Sequence, residues 1–148
     1  MLRRGAPLDG FLDRLIFEKV VRDNVFLNEG ITFIWQAVTG VAGLTYFNNA
    51  NSHIGVGDGT TAADPSQTGL QGTNKYYKGM DSGYPQISGT KCIFRSTFGT
   101  GEANFTWAEW TVANGNSDAA VNLNRKVESL GTKSSGATWV LQVELSIS

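Results

Sequence analysis

The stretch 137–148 limits most strongly what this sequence can fold into. Apolar side chains occupy every second position there: Trp139, Leu141, Val143, Leu145 and Ile147. Polar residues such as Gln142, Glu144 and Ser146 fill most of the positions between them. Because successive side chains of a β-strand point to opposite faces, this pattern predicts a strand with one face on a core.

Five more stretches have strand-like patterns, at 53–57, 75–78, 90–98, 103–113 and 123–127, and turns rich in Gly separate them. In 90–98, Cys92, Phe94 and Phe98 share one face. In 103–113, Trp107 and Trp110 are out of phase, which predicts either a strand buried on both faces or a β-bulge. About six strands at this spacing predict a mainly β fold, an antiparallel sandwich or barrel-like domain.

One short helix is predicted over about 30–39, packed on this domain. The spacing i, i+3, i+4, i+7 is followed by four apolar residues: Ile31, Ile34, Trp35 and Val38. We expect the face that they share to be the packed face. Asn28 can cap the helix, and Gly40 stands where a C′ glycine ends one.

The first 27 residues form a separate N-terminal arm by composition. They hold five basic and four acidic residues but no Ser or Thr. Apolar residues recur near helical spacing, whereas Val20 and Val21 favour a strand, so an amphipathic helix and an extended arm both stay open. Either way its apolar side chains need a partner, which is either the chain's own domain or a neighbouring chain. The sequence therefore divides into an arm, 1–27, and a β-rich domain, 28–148.

Composition argues against several classes of function. The net charge is −1, so no overall attraction draws the chain to nucleic acid or to an anionic membrane. No run approaches the ~18 apolar residues of a membrane span. The single cysteine, Cys92, rules out an intrachain disulfide framework and a Cys-based zinc site. We expect Cys92 to be a small buried hydrophobe, in a protein assembled in a reducing cytoplasm.

The glycine-rich string Gly55–Gly59 superficially looks like a phosphate-binding loop. Its G-x-G-x-G spacing matches neither the dinucleotide fingerprint nor a P-loop, which ends in Gly-Lys-Ser/Thr. We expect a tight turn in which glycines adopt positive φ.

No catalytic or metal-binding pattern stands out. His53 is the sole histidine, its neighbour Ser52 would face the other side of a strand, and no G-x-S-x-G motif is present. Acidic residues are scattered singly, without a calcium-loop pattern, although two carboxylates could still meet through space. We predict a protein that is not an enzyme and uses no cofactor and no metal.

The aromatic residues fall into two groups, one expected in the core and one expected at a contact with another protein chain. Trp107 and Trp139 are in phase with apolar neighbours, which favours the core. Trp110 is out of phase, and the adjacent Tyr76 and Tyr77 cannot both point inward on one strand. We predict that Trp110 and Tyr76 or Tyr77 form the contact between copies of a homo-oligomer.

Several motifs resemble small structural proteins of tailed bacteriophages. The matching stretches are Phe26–Gly30, His53–Thr60, Phe98–Trp110 and Leu123–Trp139. The likeness covers about 26–148 and leaves out the arm. It departs from the expected pattern at Thr111, where Gly would stand.

The small size, single domain and separate arm look more like a capsid decoration (cement) protein than a fibre subunit. That resemblance implies a homotrimer in the virion that binds across major capsid protein subunits. The expected arm anchors for the capsid are four apolar residues: Phe11, Leu12, Leu15 and Ile16. The alternative is a tail-fibre or baseplate-associated module that binds a receptor or glycan.

Overall fold

The computed structural model describes residues 2–4, 17–19 and 24–147, with side chains described from 24 to 147. These residues contain strands and one helix. In chain order they are β1 (Leu2–Arg4), β2 (Phe17–Lys19), β3 (Val25–Phe26), α1 (Asn28–Val38), β4 (His53–Gly57), β5 (Lys75–Gly79), β6 (Gln86–Ser88), β7 (Lys91–Phe98), β8 (Thr106–Ala113), β9 (Asn124–Thr132) and β10 (Trp139–Ser146).

Two antiparallel sheets build the domain. One has five strands in the order β3-β9-β8-β4-β5, and the other has three in the order β10-β7-β6. Separately, β1 pairs with β2 in a short antiparallel ladder. The prediction of a mainly β fold with antiparallel strands and one short helix is confirmed.

The core lies between the two larger sheets. From the three-stranded sheet it takes Phe94, Phe98, Val143 and Leu145, which meet Ile54, Val56, Trp107, Trp110 and Val112 of the five-stranded sheet. The ring centroids of Phe98 and Trp107 lie 4.7 Å apart in an edge-to-face contact. Trp139 meets Trp107 in the same way at 4.9 Å, and such contacts add to the gain from burial.

The alternation that predicts the last strand is confirmed. Val143 and Leu145 are buried, whereas Val140, Gln142 and Glu144 are exposed. One face of β10 therefore covers the core and the other faces outward.

A β-bulge in β8 brings two tryptophans that are out of phase in sequence into one core. The pairing of β8 with β9 shifts register between Trp107 and Glu109. Trp107 and Trp110 both join the core, while Glu109 is buried on the opposite face. The strand is therefore bulged and also buried on both faces.

Residues 24–27, which the composition shift assigns to the arm, pair with or pack on the domain. Val25 and Phe26 pair with β9. Leu27 is fully buried, and its N–H donates to the carbonyl of Leu123 at 2.9 Å. These residues therefore belong to the fold of the β-rich domain, although composition groups them with the arm.

Candidate protein interface

A buried carboxylate, Glu109, organises the polar side of the five-stranded sheet. Its Oε2 accepts a hydrogen bond from Arg125 Nε at 2.7 Å, and both side chains are fully buried. Its Oε1 accepts from the backbone N–H groups of Gly59 at 3.1 Å and Gly72 at 2.7 Å. The N–H of Gln71 approaches both oxygens, at 3.2 and 3.0 Å. The carboxylate thus joins the long loop between β4 and β5 to β8 and β9.

Arg125 extends the same network into the loop. Its Nη1 donates to the carbonyl of Thr61 and to Oε1 of Gln67, both at 2.9 Å. Its Nη2 has no hydrogen-bond partner within the described part of the chain. Loop backbone thus surrounds the Glu109–Arg125 ion pair, and the hydrogen bonds described for the two side chains all go to groups of the same chain.

The glycine-rich string Gly55–Gly59 makes room for side chains that pack against its backbone. A Cβ at Gly57 would lie 2.5 Å from Oε1 of Glu109, and one at Gly55 would lie 2.5 Å from the ring of Tyr77. Neither glycine has positive φ. The expectation of positive φ is therefore wrong here, because close approach of side chains to the backbone is what requires glycine.

Two further carboxylates hold the same loop. Asp58 Oδ1 accepts from the N–H groups of Thr73 at 2.8 Å and Asn74 at 3.0 Å. Asp118 accepts from the N–H of Leu70 at 3.0 Å and from Lys75 Nζ at 2.6 Å. Each of these carboxylates accepts hydrogen bonds from donors of the fold, so both stabilise the loop between β4 and β5.

The pKa of Asp118 reflects this role. Burial opposes ionisation, but hydrogen bonds from Lys75, Tyr77 and Leu70 outweigh it and hold the pKa of Asp118 below its ordinary value. Burial and the bond to Asp118 raise the pKa of the Tyr77 hydroxyl above its ordinary value. Tyr77 therefore stays a neutral donor to an ionised Asp118.

His53 has a structural partner too. Its Nδ1 lies 2.8 Å from the carbonyl oxygen of Asn51, so this nitrogen carries the proton. Across the described residues, no group of three or more His, Cys, Asp or Glu is placed to hold a metal ion.

The apolar pattern on α1 faces outward, which corrects the prediction for this helix. Ile31, Trp35 and Val38 are 41%, 63% and 71% exposed, whereas Gly30 and Phe33 are buried. We call the exposed set Ile31, Trp35 and Val38 the helix stripe. The predicted packed face is wrong for these three residues; Ile34 is half-buried against the core.

Gly30 explains why the helix is turned this way. A Cβ there would lie 2.5 Å from the carbonyl oxygen of Leu123, so the helix backbone crosses β-domain backbone at this residue. Phe33, one turn further on, packs edge-to-face on Phe47 at 5.0 Å. With Gly30 and Phe33 facing the domain, Trp35 must point away. Gly40 ends the helix as predicted, at φ +77°, while Asn28 makes no cap because the N-cap is Leu27.

An apolar groove of about 360 Å³ adjoins the helix. It lies between α1 and the three-stranded sheet, with Phe26, Ile34 and Cys92 among its walls. Two of its lining residues, Ile87 and Ile147, are largely exposed. Cys92 is half-buried there, less than expected, and burial raises the pKa of its thiol.

The residues predicted to form the contact between copies are mostly engaged within the chain. Trp110 is only 6% exposed and belongs to the core. Tyr76 packs on Phe98, and its hydroxyl donates to Glu102 at 3.1 Å. Tyr77 lies on the opposite face, where its hydroxyl donates to Asp118. Both tyrosines are half-buried, so neither faces solvent freely, and the oligomer contact through these three residues stays a prediction.

The four arm anchors, Phe11, Leu12, Leu15 and Ile16, lie outside the described residues. Sequence reasoning missed the helix stripe as a surface. Gly30 was the signal that could have identified it, because a glycine inside a helix often marks a close contact with other backbone. Gly30 and Phe33, three residues further on, then mark the packed face, and the stripe lies away from it.

The described helix is too short to cross a membrane. Comparison with protein-family models, with curated proteins and with solved structures finds no match for this chain. The fold and its surface thus describe the chain as a mainly β domain of two sheets whose helix exposes an apolar stripe.

Proposed function

We propose that the chain is a structural protein of a tailed-bacteriophage particle that stabilises the capsid by binding across major capsid protein subunits. The helix stripe is the observation that carries this proposal. Large apolar side chains in a row on a protein surface mark sites of association, and Trp is the residue most often found at the energetic centre of an interface. The main buried polar clusters, in contrast, bind the protein's own backbone.

The rigidity of the domain supports the same reading. Glu29 accepts a hydrogen bond from the N–H of Asn122 at 2.9 Å, and Phe33 packs edge-to-face on Phe47 at 5.0 Å, so the helix that carries the stripe is held on the domain and its surface is preorganised. A preorganised surface loses little conformational entropy on binding. A ligand that binds the assembled shell better than its free parts stabilises the shell by mass action.

The arm adds a second contact in this proposal. Phe11, Leu12, Leu15 and Ile16 would reach a capsid subunit beyond the domain, and linking two contacts raises the overall affinity through effective concentration. A trimer of the chain would multiply both contacts and stays part of the proposal.

Binding to particles prepared without this chain tests the proposal. Purified wild-type protein should co-sediment with such particles, and Trp35→Ser should lose most of the binding because it removes the largest exposed side chain of the stripe. Thr32→Ala, an exposed change on the same helix, is the matched control and should bind like wild type. Equal binding by Trp35→Ser and wild type would remove the helix stripe from the contact.

A second candidate is a tail-fibre or baseplate-associated module that binds a receptor or glycan. Exposed aromatic rings favour it: Trp35 and Tyr46 both present more than half of their surface to solvent, and flat rings stack on sugar faces. Binding of the purified protein to host cells or cell-wall glycans, lost in Trp35→Ser, together with no binding to capsids, would decide for this function.

A further inference from the structure

Among the described residues, no strand pairs with the outer edge of β10. Along all eight residues, from Trp139 to Ser146, β10 pairs with β7 on one side. Within the described residues it is the last strand of its sheet, and no backbone hydrogen bond outside that pairing involves 138–147. A strand of this length presents a row of free N–H and C=O groups about 27 Å long.

The other sheet edges of the domain, 24–147, are protected in familiar ways. β3 has two residues and β6 has three, which is too short for stable pairing. β5 carries Lys75 and Lys78 and ends in Gly79. Short strands and lysines are the usual devices against pairing with another chain, whereas β10 contains no Lys, Arg, Pro or Gly.

We propose that β10 is an interface between two copies of this chain, which pair their outer edges antiparallel about a two-fold axis. The two three-stranded sheets then become one six-stranded sheet. The partner is a second copy because the strand is complementary to itself. This inference goes beyond the proposed function, because it concerns a two-fold contact at the edge of β10, whereas the contact predicted for a trimer lies at Trp110 and Tyr76 or Tyr77.

A register centred on Val143 gives that complementarity. It sets Val143 opposite Val143 of the second copy and Leu141 opposite Leu145, so core-facing residues meet core-facing residues. It also sets Ile147, which is 67% exposed, opposite Trp139. Pairing would therefore cover an apolar side chain that a single copy leaves in water.

The exposed face is compatible with the same register. With Val143 at the centre, Glu144 faces the neutral Gln142 of the second copy, twice by symmetry. If the register shifted by one residue so that the two-fold axis passed through Glu144, the Glu144 side chains of the two copies would lie directly opposite each other, which disfavours pairing. Charge thus disfavours the alignment centred on Glu144 and is compatible with the one centred on Val143.

Position 142 offers a test with opposite charges. Gln142→Glu places a carboxylate opposite Glu144 of the second copy in two symmetric pairs, so the dimer dissociation constant should rise about tenfold. Gln142→Lys places an ammonium there, and the dissociation constant should fall by about the same factor. Gln142 is exposed, and within the chain it lies opposite Arg95 of β7. Within one copy the side chain of Gln142 also donates to Oε1 of Glu144 at 3.2 Å. Arg95 favours a carboxylate at position 142 and Glu144 favours an ammonium, so thermal unfolding of dilute monomer is measured for both variants to separate these internal contacts from the contact between copies.

Sedimentation equilibrium of the full-length chain and both variants measures this. The expected result is a monomer–dimer equilibrium whose dissociation constant shifts in opposite directions in the two variants, by more than the difference in free energy of unfolding between their dilute monomers accounts for. A chain that stays monomeric at every soluble concentration would overturn the proposal. So would a dimer or trimer whose dissociation responds to neither variant, because then another surface joins the copies.

Discussion

Replacing Glu109 by Gln should strongly destabilise the domain. Gln keeps the shape of the side chain but replaces one carboxylate oxygen with an NH₂ donor. Five donor contacts from Gly59, Gln71, Gly72 and Arg125 converge on the two oxygens, so either orientation of the amide sets its NH₂ against a donor. It also leaves the fully buried Arg125 without its counter-charge.

The size of the effect follows from the burial of the pair. Removing one partner of a buried ion pair costs about 3–5 kcal/mol, because the remaining charge stays desolvated. A domain of this size shifts its melting temperature by about 2–4 °C per kcal/mol, so Tm should fall by about 10 °C. That loss is a large share of the ~5–15 kcal/mol by which domains are usually stable.

Urea unfolding followed by tryptophan fluorescence measures this loss of unfolding free energy, because Trp107 and Trp110 lie in the core on the same strand as Glu109. Glu144→Gln is the matched control, because its ion pair with Lys91 is exposed and should contribute less than about 1 kcal/mol. A free energy of unfolding for Glu109→Gln within about 1 kcal/mol of wild type would refute the reasoning that this carboxylate holds the loop.

Three more outcomes are expected. Gly57→Ala should cost about 1–3 kcal/mol in urea unfolding, because its Cβ would crowd Glu109, whereas Gly101→Ala, with open space around it, should be near neutral; equal effects would contradict the packing role of Gly57. Asp118→Asn should be less stable than wild type at neutral pH, with the gap closing on acidification. The folded pKa of Asp118 is lowered, so its contribution is present above the unfolded value of 3.8 and is lost as pH falls through the folded one; a gap that is constant down to pH 2 would contradict this. Trp35→Ser should change the free energy of unfolding by no more than about 0.5 kcal/mol, because the ring is mostly in solvent, and a larger loss would show that it packs on the domain.

The strands were predictable because their signal is local. Alternation in β10 and β7 identifies the buried face from sequence alone, and the turn at Gly99–Gly101 separates β7 from β8. The sequence predicted either a β-bulge or burial on both faces for β8, because Trp107 and Trp110 are out of phase. The structure has both, with the bulge between Trp107 and Glu109.

The helix and the glycine string show what local patterns miss. Hydrophobic spacing predicts the position of α1 correctly but predicts the wrong face to be packed. The close contact between the backbones of Gly30 and Leu123 decides which face of the helix meets the domain. Glu109 lies 50 residues from Gly59, so no window of sequence joins the carboxylate to the glycines that make room for it. Both features depend on contacts made through space.

The stability of capsids tests the central claim most directly. If the chain belongs to a phage capsid as we propose, capsids that lack it would be heated with and without added protein, and release of DNA would be followed with a dye. We predict that wild-type protein and Thr32→Ala raise the release temperature and that Trp35→Ser does not. If wild-type protein leaves the release temperature unchanged, or if Trp35→Ser restores it fully, the helix stripe does not bind the capsid as we propose.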